Sequence, residues 1–467
     1  MIDKFITNIN NALYGYILIV LLIACGLYFT FRTGFAQFRL FGWQLRAVAE
    51  KPSDKDGVSA FQALMVSTAS RVGTGNIIGV STAICLGGFG SVFWMWIIAV
   101  IGGATALIES TLAQIFKKKS GGGFYGGPAY YIEQGLGSRT LAVVFSLCLI
   151  LTYGFGFNML ASYNLQSTFS AYSFYDENIS PVIIGIVLAL AVAYCIIGGG
   201  KRLVKITGAL VPVMGIIYVG IALVIVVLNL DKLPEVFARI FSDAFDFEAI
   251  FGGFSGSCVM YGIKRGLFSN EAGVGSAPNA SASADVSHPV TQGLVQVLSV
   301  FIDTLLICSA TAFMCMCSGI EPTTELSGAP YIQQSIGAVL GQFGPVFITV
   351  AMVLFAFTTL LGNLYYVDSA IVYLLKKVPG KAFMMTYRLI AAFVVFLGCI
   401  LSADLLWGIA DVTMGAMTII NIPTIVILGK YAFRAIRDFD TKKHLGISNL
   451  YFKAEDIGLK ERTDCWK

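Results

Sequence analysis

The stretch "RVGTGN", Arg71 to Asn76, sets a guanidinium, a hydroxyl, an amide and two glycines inside an otherwise apolar run. In a bilayer such groups are costly unless they face protein or a water-filled cavity. Gly73, Gly75 and Gly79 let the backbone leave the helix. Once it unwinds, carbonyls are freed on one side of the break and N–H groups on the other. A second run, "GGFSGSCVMYGIKRGLFSNEAGVGSAPNA" from Gly252 to Ala280, repeats the pattern. It combines Gly256, Gly262, Gly266, Gly273 and Gly275 with Lys264, Arg265, Asn270 and Glu271. Helix-to-helix packing explains an isolated pair of glycines; two clusters with ionisable or amide side chains point to a binding site.

The elements that must carry these breaks follow from composition. Of 467 residues 57% are apolar and 12% charged, and the mean hydropathy is +0.79. That excludes a soluble domain of this size. The fold class expected is an all-α polytopic membrane protein. Fifty glycines suit close helix packing in lipid. Apolar runs long enough to cross, at roughly 20 residues each, fall near 12–31, 59–88, 91–116, 140–170, 181–199, 206–229, 252–286, 289–318, 342–375, 383–401 and 405–429. The first is read as a true span, since it lacks a small-residue cleavage site. Of the 31 Lys and Arg, 25 fall in one set of alternate loops and in the tail. The positive-inside rule then puts the tail in the cytoplasm and the N-terminus outside. The two interrupted runs lie five spans apart, so the units they open have opposite orientation, as in the inverted repeats of secondary transporters. The expected organisation is 1–58 for an extra helix and loop, 59–229 and 230–429 for the two five-helix repeats, and 430–467 for a cytoplasmic tail.

Other chemistries find little support. The ten cysteines form no Cys-x-x-Cys pair, and Cys315 and Cys317 read as apolar packing. Two histidines make a His-based metal site improbable. No phosphate-binding loop is present, and no nucleophile–base cluster marks an enzyme; none is expected. A channel with a Gly-rich filter is the remaining alternative, but filters repeat around an oligomer axis, whereas these breaks are inverted within one chain.

"SRVGTGNIIGVSTAI", "GSVFWMWIIAVIGGATALIE" and "RGLFSNEAGVGSAPNASA" resemble the sodium:alanine (alanine/glycine:cation) symporter family from the first span to about Gly429. The resemblance implies a LeuT-like fold with one extra N-terminal helix. It also implies sodium-driven import of small neutral amino acids, with no organic cofactor. The lipid bilayer and the amino acid are the expected partners, the inner membrane the location, and the monomer the working unit. On that reading the substrate carboxylate is held by N–H groups and the helix start near Asn76 and Ile77, with Thr74, Gly75 and Asn76 around it. The ammonium is held by carbonyls near Phe254 to Tyr261, which brings in Phe254, Ser255, Gly256 and Val259. Sodium is placed between carbonyls of Ala69, Ser70 and Val72 and the hydroxyls of Thr358 and Thr359. Hydrogen bonding between helices is the other use for those two hydroxyls.

The sequence departs from the family after "FAFTTLLG": Asn363 stands where a Trp is usual, and Asp368 where a Glu is usual. This predicts a roomier, more polar pocket reached by Thr359 and Asn363, and raises glutamine or another polar neutral amino acid as main substrate. Arg71, Arg265, Glu271 and Asp368 are expected to form structural or gating ion pairs, with Arg71 at an inner gate. A proton-linked Glu271 would make coupling depend on protons instead of sodium.

Overall fold

The structure, a computed structural model, describes residues 2–54, 57–120, 123–197, 199–246, 248, 250, 257–445, 450–459 and 463–466. Its main helices, in chain order, are α1 (Leu18–Arg32), α2 (Phe41–Val48), α3 (Ala60–Arg71), α4 (Val80–Gly87), α5 (Gly90–Ile115), α6 (Arg139–Leu149), α7 (Phe157–Ser167), α8 (Ser180–Ile196), α9 (Gly200–Leu228) and α10 (Leu233–Ala244). They continue with α11 (Cys258–Asn270), α12 (Pro278–Ser283), α13 (Pro289–Val300), α14 (Ser309–Met316), α15 (Ala329–Leu340), α16 (Phe343–Leu375), α17 (Lys381–Ile400) and α18 (Ala403–His444). The only sheet among the described residues is a two-stranded hairpin, β1 (Lys118–Ser120) with β2 (Gly123–Tyr125).

Eight helices among the described residues are long and apolar enough to cross a membrane. The other three expected spans are α8, a 17-residue apolar helix, and the two interrupted runs, α3–α4 and α11–α12. The chain is thus an all-α polytopic membrane protein. Its outer belt carries large apolar side chains such as Leu190, Ile216, Leu223, Leu389 and Phe393, each more than half exposed in the isolated chain, as lipid-facing residues must be.

Inside, α5 packs along α13 and α11, α9 packs on α3 and α16, and α17 lies against α7 and α8. These helices close around α3 and α11. The start of α3 is fixed by a capping box: the Ser59 hydroxyl accepts the Gln62 N–H and the Gln62 side chain accepts the Ser59 N–H. α18 does not stop near Gly429 but runs 42 residues to His444, because its polar end finds partners in the tail that folds back over it. Lys442, for example, bonds Asp438 at 2.6 Å and the Tyr451 carbonyl at 2.7 Å.

The Lys/Arg-rich loops gather on one face with that tail: Arg39 pairs with Asp440, Lys117 bonds the Ala284 carbonyl and Arg388 bonds the Ile197 carbonyl. Arg239 and Glu321 pair on the opposite face.

Candidate functional site

The first break begins where α3 ends at Arg71. Val72 leaves helical geometry (φ −74°, ψ 87°) while its N–H still caps the Thr68 carbonyl at 2.7 Å. Asn76 closes the turn: its Oδ1 accepts the Gly73 N–H at 2.7 Å. Its Nδ2 donates to the Asp303 carboxylate at 2.7 Å. A Cβ on Gly73 would fall on the Thr359 hydroxyl, so glycine here is what lets α16 approach the break. The chain then resumes as a π-helical turn, Gly75–Gly79, leading into α4.

The second break follows Asn270. Glu271 adopts left-handed geometry (φ 54°), followed by Gly273 (φ 90°) and Gly275 (φ 88°). Left-handed geometry is uncommon in a residue with a Cβ, so neighbours must hold this one in place. The Glu109 carboxylate accepts the Gly273 N–H at 3.3 Å and the Asn421 amide at 2.9 Å. Asn421 also donates to the Gly273 carbonyl at 2.9 Å and accepts the Tyr131 hydroxyl. α5 and α18 thereby clamp the unwound backbone between them.

Between the breaks lies a cavity lined by Ser70, Arg71, Thr74, Gly75, Phe157, Phe268, Glu271 and Thr359, of about 10 Å³. That is room for about one water, so an amino acid enters only if a wall moves. Arg71, 2% exposed, donates from Nη1 to Gln296 at 2.8 Å. Its Nε and Nη2 have no partner among the described residues. Glu271 accepts the Ser70 hydroxyl at 3.2 Å and the Ser276 hydroxyl at 2.6 Å. The Thr359 hydroxyl is buried without a partner among the described residues. Asp303, wholly buried nearby, accepts Asn76, Ser269 and Thr304. Arg71 is thus the cation and Glu271 the carboxylate that line this cavity.

The cavity is capped on both sides. Opposite the tail, Phe157 and Phe268 lie 4.6 Å apart between ring centroids, Phe268 and Trp407 4.9 Å, and the Arg265 guanidinium sits 3.9 Å over Trp407. Asp411 pairs with Lys264 at 2.7 Å and with Arg265 at 3.6 Å. On the tail side Val58 forms a parallel bridge with Ala284, which ties the tail-side ends of the two interrupted runs. Asp285 adds bonds to the Ser53 and Asp54 N–H groups at 2.8 and 3.0 Å.

Of the residues expected at the site, Thr74, Gly75, Ser70, Arg71, Glu271 and Thr359 line this cavity; the other described ones do not. Among the described residues the unwound stretch of the second run is Glu271–Ala277, between α11 and α12; of the segment expected to be unwound, Cys258–Tyr261 is helical. Val259 sits in the first turn of α11, while Phe254, Ser255 and Gly256 fall outside the described residues. Asn76 and Ile77 are fully buried, and the Asn76 amide is spent bracing the break. The Thr358 hydroxyl turns back to the Leu354 and Phe355 carbonyls, both at 3.0 Å, away from the backbone of Ala69 and Val72. Asn363 accepts the Ser70 hydroxyl at 2.6 Å and donates to Asn158 at 2.9 Å. It therefore adds neither room nor a free amide to the cavity, against the roomier pocket expected from its identity. Arg71 has no carboxylate at ion-pair distance among the described residues, and neither has Asp368 a cation. Arg265 does pair, with Asp411.

Sequence reasoning passed over Phe157, Phe268, Gln296 and Trp407. Phe268 stands inside "GLFSNEAG", and Phe157 follows two glycines, Gly154 and Gly156, in an apolar run; that spacing was the available signal. Gln296 and Trp407 offered none.

A model of the sodium:alanine symporter family matches residues 1–454. The chain belongs to that family. It is 40% identical over 460 residues to the amino-acid carrier protein AlsT of Bacillus subtilis, covering 98% of this chain and 97% of that one. It is 41% identical to the probable sodium/glutamine symporter GlnT of Bacillus subtilis, covering 98% and 94%. It is 36% identical to the sodium/alanine symporter AgcS of Methanococcus maripaludis, covering 94% and 98%. Among solved structures, MhsT in complex with L-phenylalanine shares the LeuT-like fold, with a TM-score of 0.55 at 14% identity over 88% of this chain and 94% of that one.

Proposed function

We propose that this protein is a sodium-coupled secondary symporter that imports small neutral amino acids, of the alanine/glycine class, by alternating access. The observation that carries the reading is the closed cavity between two helix breaks that sets the Arg71 guanidinium and the Glu271 carboxylate on one small volume. An amino acid is a zwitterion and complements that pair. A buried N–H without a partner costs about 1–3 kcal/mol, so Nε and Nη2 of Arg71 favour a state in which a substrate carboxylate accepts from them. Glu271 takes the ammonium. Phe157 and Phe268 limit the space left for a side chain.

Glu271 and Asp303 are buried with no cation at ion-pair distance among the described residues. A sodium ion and the substrate ammonium supply what is missing. Ser70 and Thr359, whose hydroxyls border the cavity, are the oxygen donors assigned to the ion, together with the carbonyls that α3 frees at its end. The Asp411 cluster with Lys264 and Arg265 is assigned as the outer closure. The Val58–Ala284 bridge is assigned as the inner one. The 25 Lys and Arg of the tail face support a cytoplasmic assignment for it; the reading takes an inner membrane, the monomer as transport unit and repeats at 59–229 and 230–429.

The experiment is uptake of labelled alanine by proteoliposomes after a sodium jump at fixed pH, with glycine, alanine and glutamine as competitors. Concentrative uptake that needs sodium and is competed by glycine and alanine supports the reading. Uptake that follows an imposed proton gradient without sodium sinks it. Glutamine outcompeting glycine would move the main substrate to glutamine.

A further inference from the structure

A second cavity, about 720 Å³ in volume, lies on the tail face and shares no lining residue with the central one. Its size is that of a small-molecule site. Four distant segments wall it: Trp43 to Ser53, Lys117 with Phe124, Asp285 to Leu294, and the folded-back tail with Tyr451 and Trp466.

The charges on these walls are not balanced in the same way. The two carboxylates are already engaged. Glu50 accepts the Ser287 N–H at 2.6 Å, and Asp285 accepts the Ser53 N–H and hydroxyl at 2.8 and 2.5 Å. Lys117 is 2% exposed, bonds the Ala284 carbonyl at 2.9 Å and faces the rings of Phe124 and Trp466 at 4.1 and 4.8 Å. Arg46 and Lys51 are exposed, and neither has a carboxylate partner among the described residues; the Arg46 guanidinium only overhangs Trp43, at 5.2 Å. Three cations, Arg46, Lys51 and Lys117, against two carboxylates, Glu50 and Asp285, leave the lining one positive charge in excess, beside aromatic walls. Guanidinium and ammonium groups bind phosphate, and an indole face stacks on planar rings.

We propose that this cavity binds a nucleotide-class metabolite, with the phosphate on Arg46 and Lys51 and the base against the ring of Trp43. The occupant would touch the tail and the Asp285–Ser287 linker at once. That linker continues α12, whose end is bridged to Val58 at the entrance to α3. Occupancy holds the two interrupted runs together on the tail side and slows substrate release there. The cytoplasmic origin of the ligand rests on the orientation proposed above; the binding itself does not.

The test uses the purified full chain, with ADP as the probe and intrinsic tryptophan fluorescence as the readout, since two of the five Trp residues line the cavity. Saturable quenching by ADP, weakened about tenfold in Arg46→Gln/Lys51→Gln and reduced in Trp43→Phe, is the expected result. Sodium-driven alanine uptake in proteoliposomes shows that each variant folds. It also keeps a failure of this proposal distinct from a failure of the symport reading. ADP trapped inside the proteoliposomes lowers uptake by wild type and not by the double variant. The proposal is overturned by any of four results: no quenching; quenching unchanged in the double variant; inorganic phosphate binding as tightly as ADP; or displacement of ADP by nanodiscs of phosphatidylglycerol but not phosphatidylcholine, which would make the cavity a seat for a lipid headgroup.

Discussion

Thr359 of α16 holds its hydroxyl against the backbone of Gly73, in the place a Cβ would take. The contact joins the helix expected to supply cation ligands to the first break, and it leaves the hydroxyl without a partner among the described residues. Gly73→Ala must therefore push α16 and the break apart. Sodium-driven uptake is expected to fall by more than about tenfold (~1.4 kcal/mol). Gly79→Ala, where a Cβ meets nothing within 4 Å, is the control and stays within about twofold of wild type. Equal loss in both variants would show that any added methyl in the run is harmful, and that the contact with Thr359 is not the reason.

Arg71 carries a different prediction, because it is the cation that lines the cavity beside Glu271. Arg71→Gln removes that charge from the cavity. Uptake is expected to vanish and the detergent-purified protein to melt at lower temperature. Arg71→Lys keeps the charge but not the planar fork. Its stability is expected to recover more than its apparent affinity for alanine. Full recovery of both would show that Arg71 serves the fold by charge alone and does not seat a carboxylate.

These residues also show what the sequence could carry. Eight of the hydrophobic runs are long apolar helices among the described residues, because hydropathy over 20 residues is a strong, local signal. The first break was readable because Gly73 and Gly75 flank a hydroxyl and precede an amide within six residues. In the second, the break among the described residues falls at Glu271–Ala277, C-terminal to the stretch expected. Five glycines lay in the run, and spacing does not say which of them take positive φ; that depends on Glu109 and Asn421, far along the chain, gripping Gly273. Asn363 failed for the same reason. Its amide is consumed by Ser70 and Asn158, and only the fold brings those three together.

Asp411 answers two cations, Lys264 and Arg265, on α11, and its backbone carbonyl accepts the Tyr14 hydroxyl at 3.2 Å. Asp411→Asn leaves both cations without a carboxylate. Because Arg265 also stacks on Trp407, which leans on Phe268, the aromatic cap over the cavity should loosen. Uptake is expected to drop several-fold and thermal stability to fall. Lys264→Met added to Asp411→Asn removes one stranded charge and is expected to regain part of the lost stability, a coupling read from the double-mutant cycle. Strict additivity of the two substitutions would remove the ion pair from the outer closure.

The last prediction concerns pH and the tail. His288 is fully buried at the start of α13. Its Nδ1 accepts the Val290 N–H at 3.1 Å, so the ring proton sits on Nε2, 3.1 Å from Asp438. Phe439 and Phe452 pack on the same ring, which makes His288 the hinge on which the tail lies. Burial lowers its pKa below the ordinary 6.5, with the Asp438 hydrogen bond and charge opposing and the Lys442 charge assisting; Asp456 is the remaining acid facing it. The folded form therefore holds the neutral ring, while the unfolded chain takes up a proton at the ordinary value. Stability from this group is complete above that value and is lost as pH falls through the lower, folded one. Hydrogen–deuterium exchange of residues 450–459, corrected for the intrinsic rate, should speed up between about pH 7 and pH 5. His288→Asn keeps a side-chain acceptor for the helix start and cannot titrate, so exchange in that variant should be flat across the same interval. An unchanged pH profile in His288→Asn would assign the effect to Asp438 and Asp456 instead.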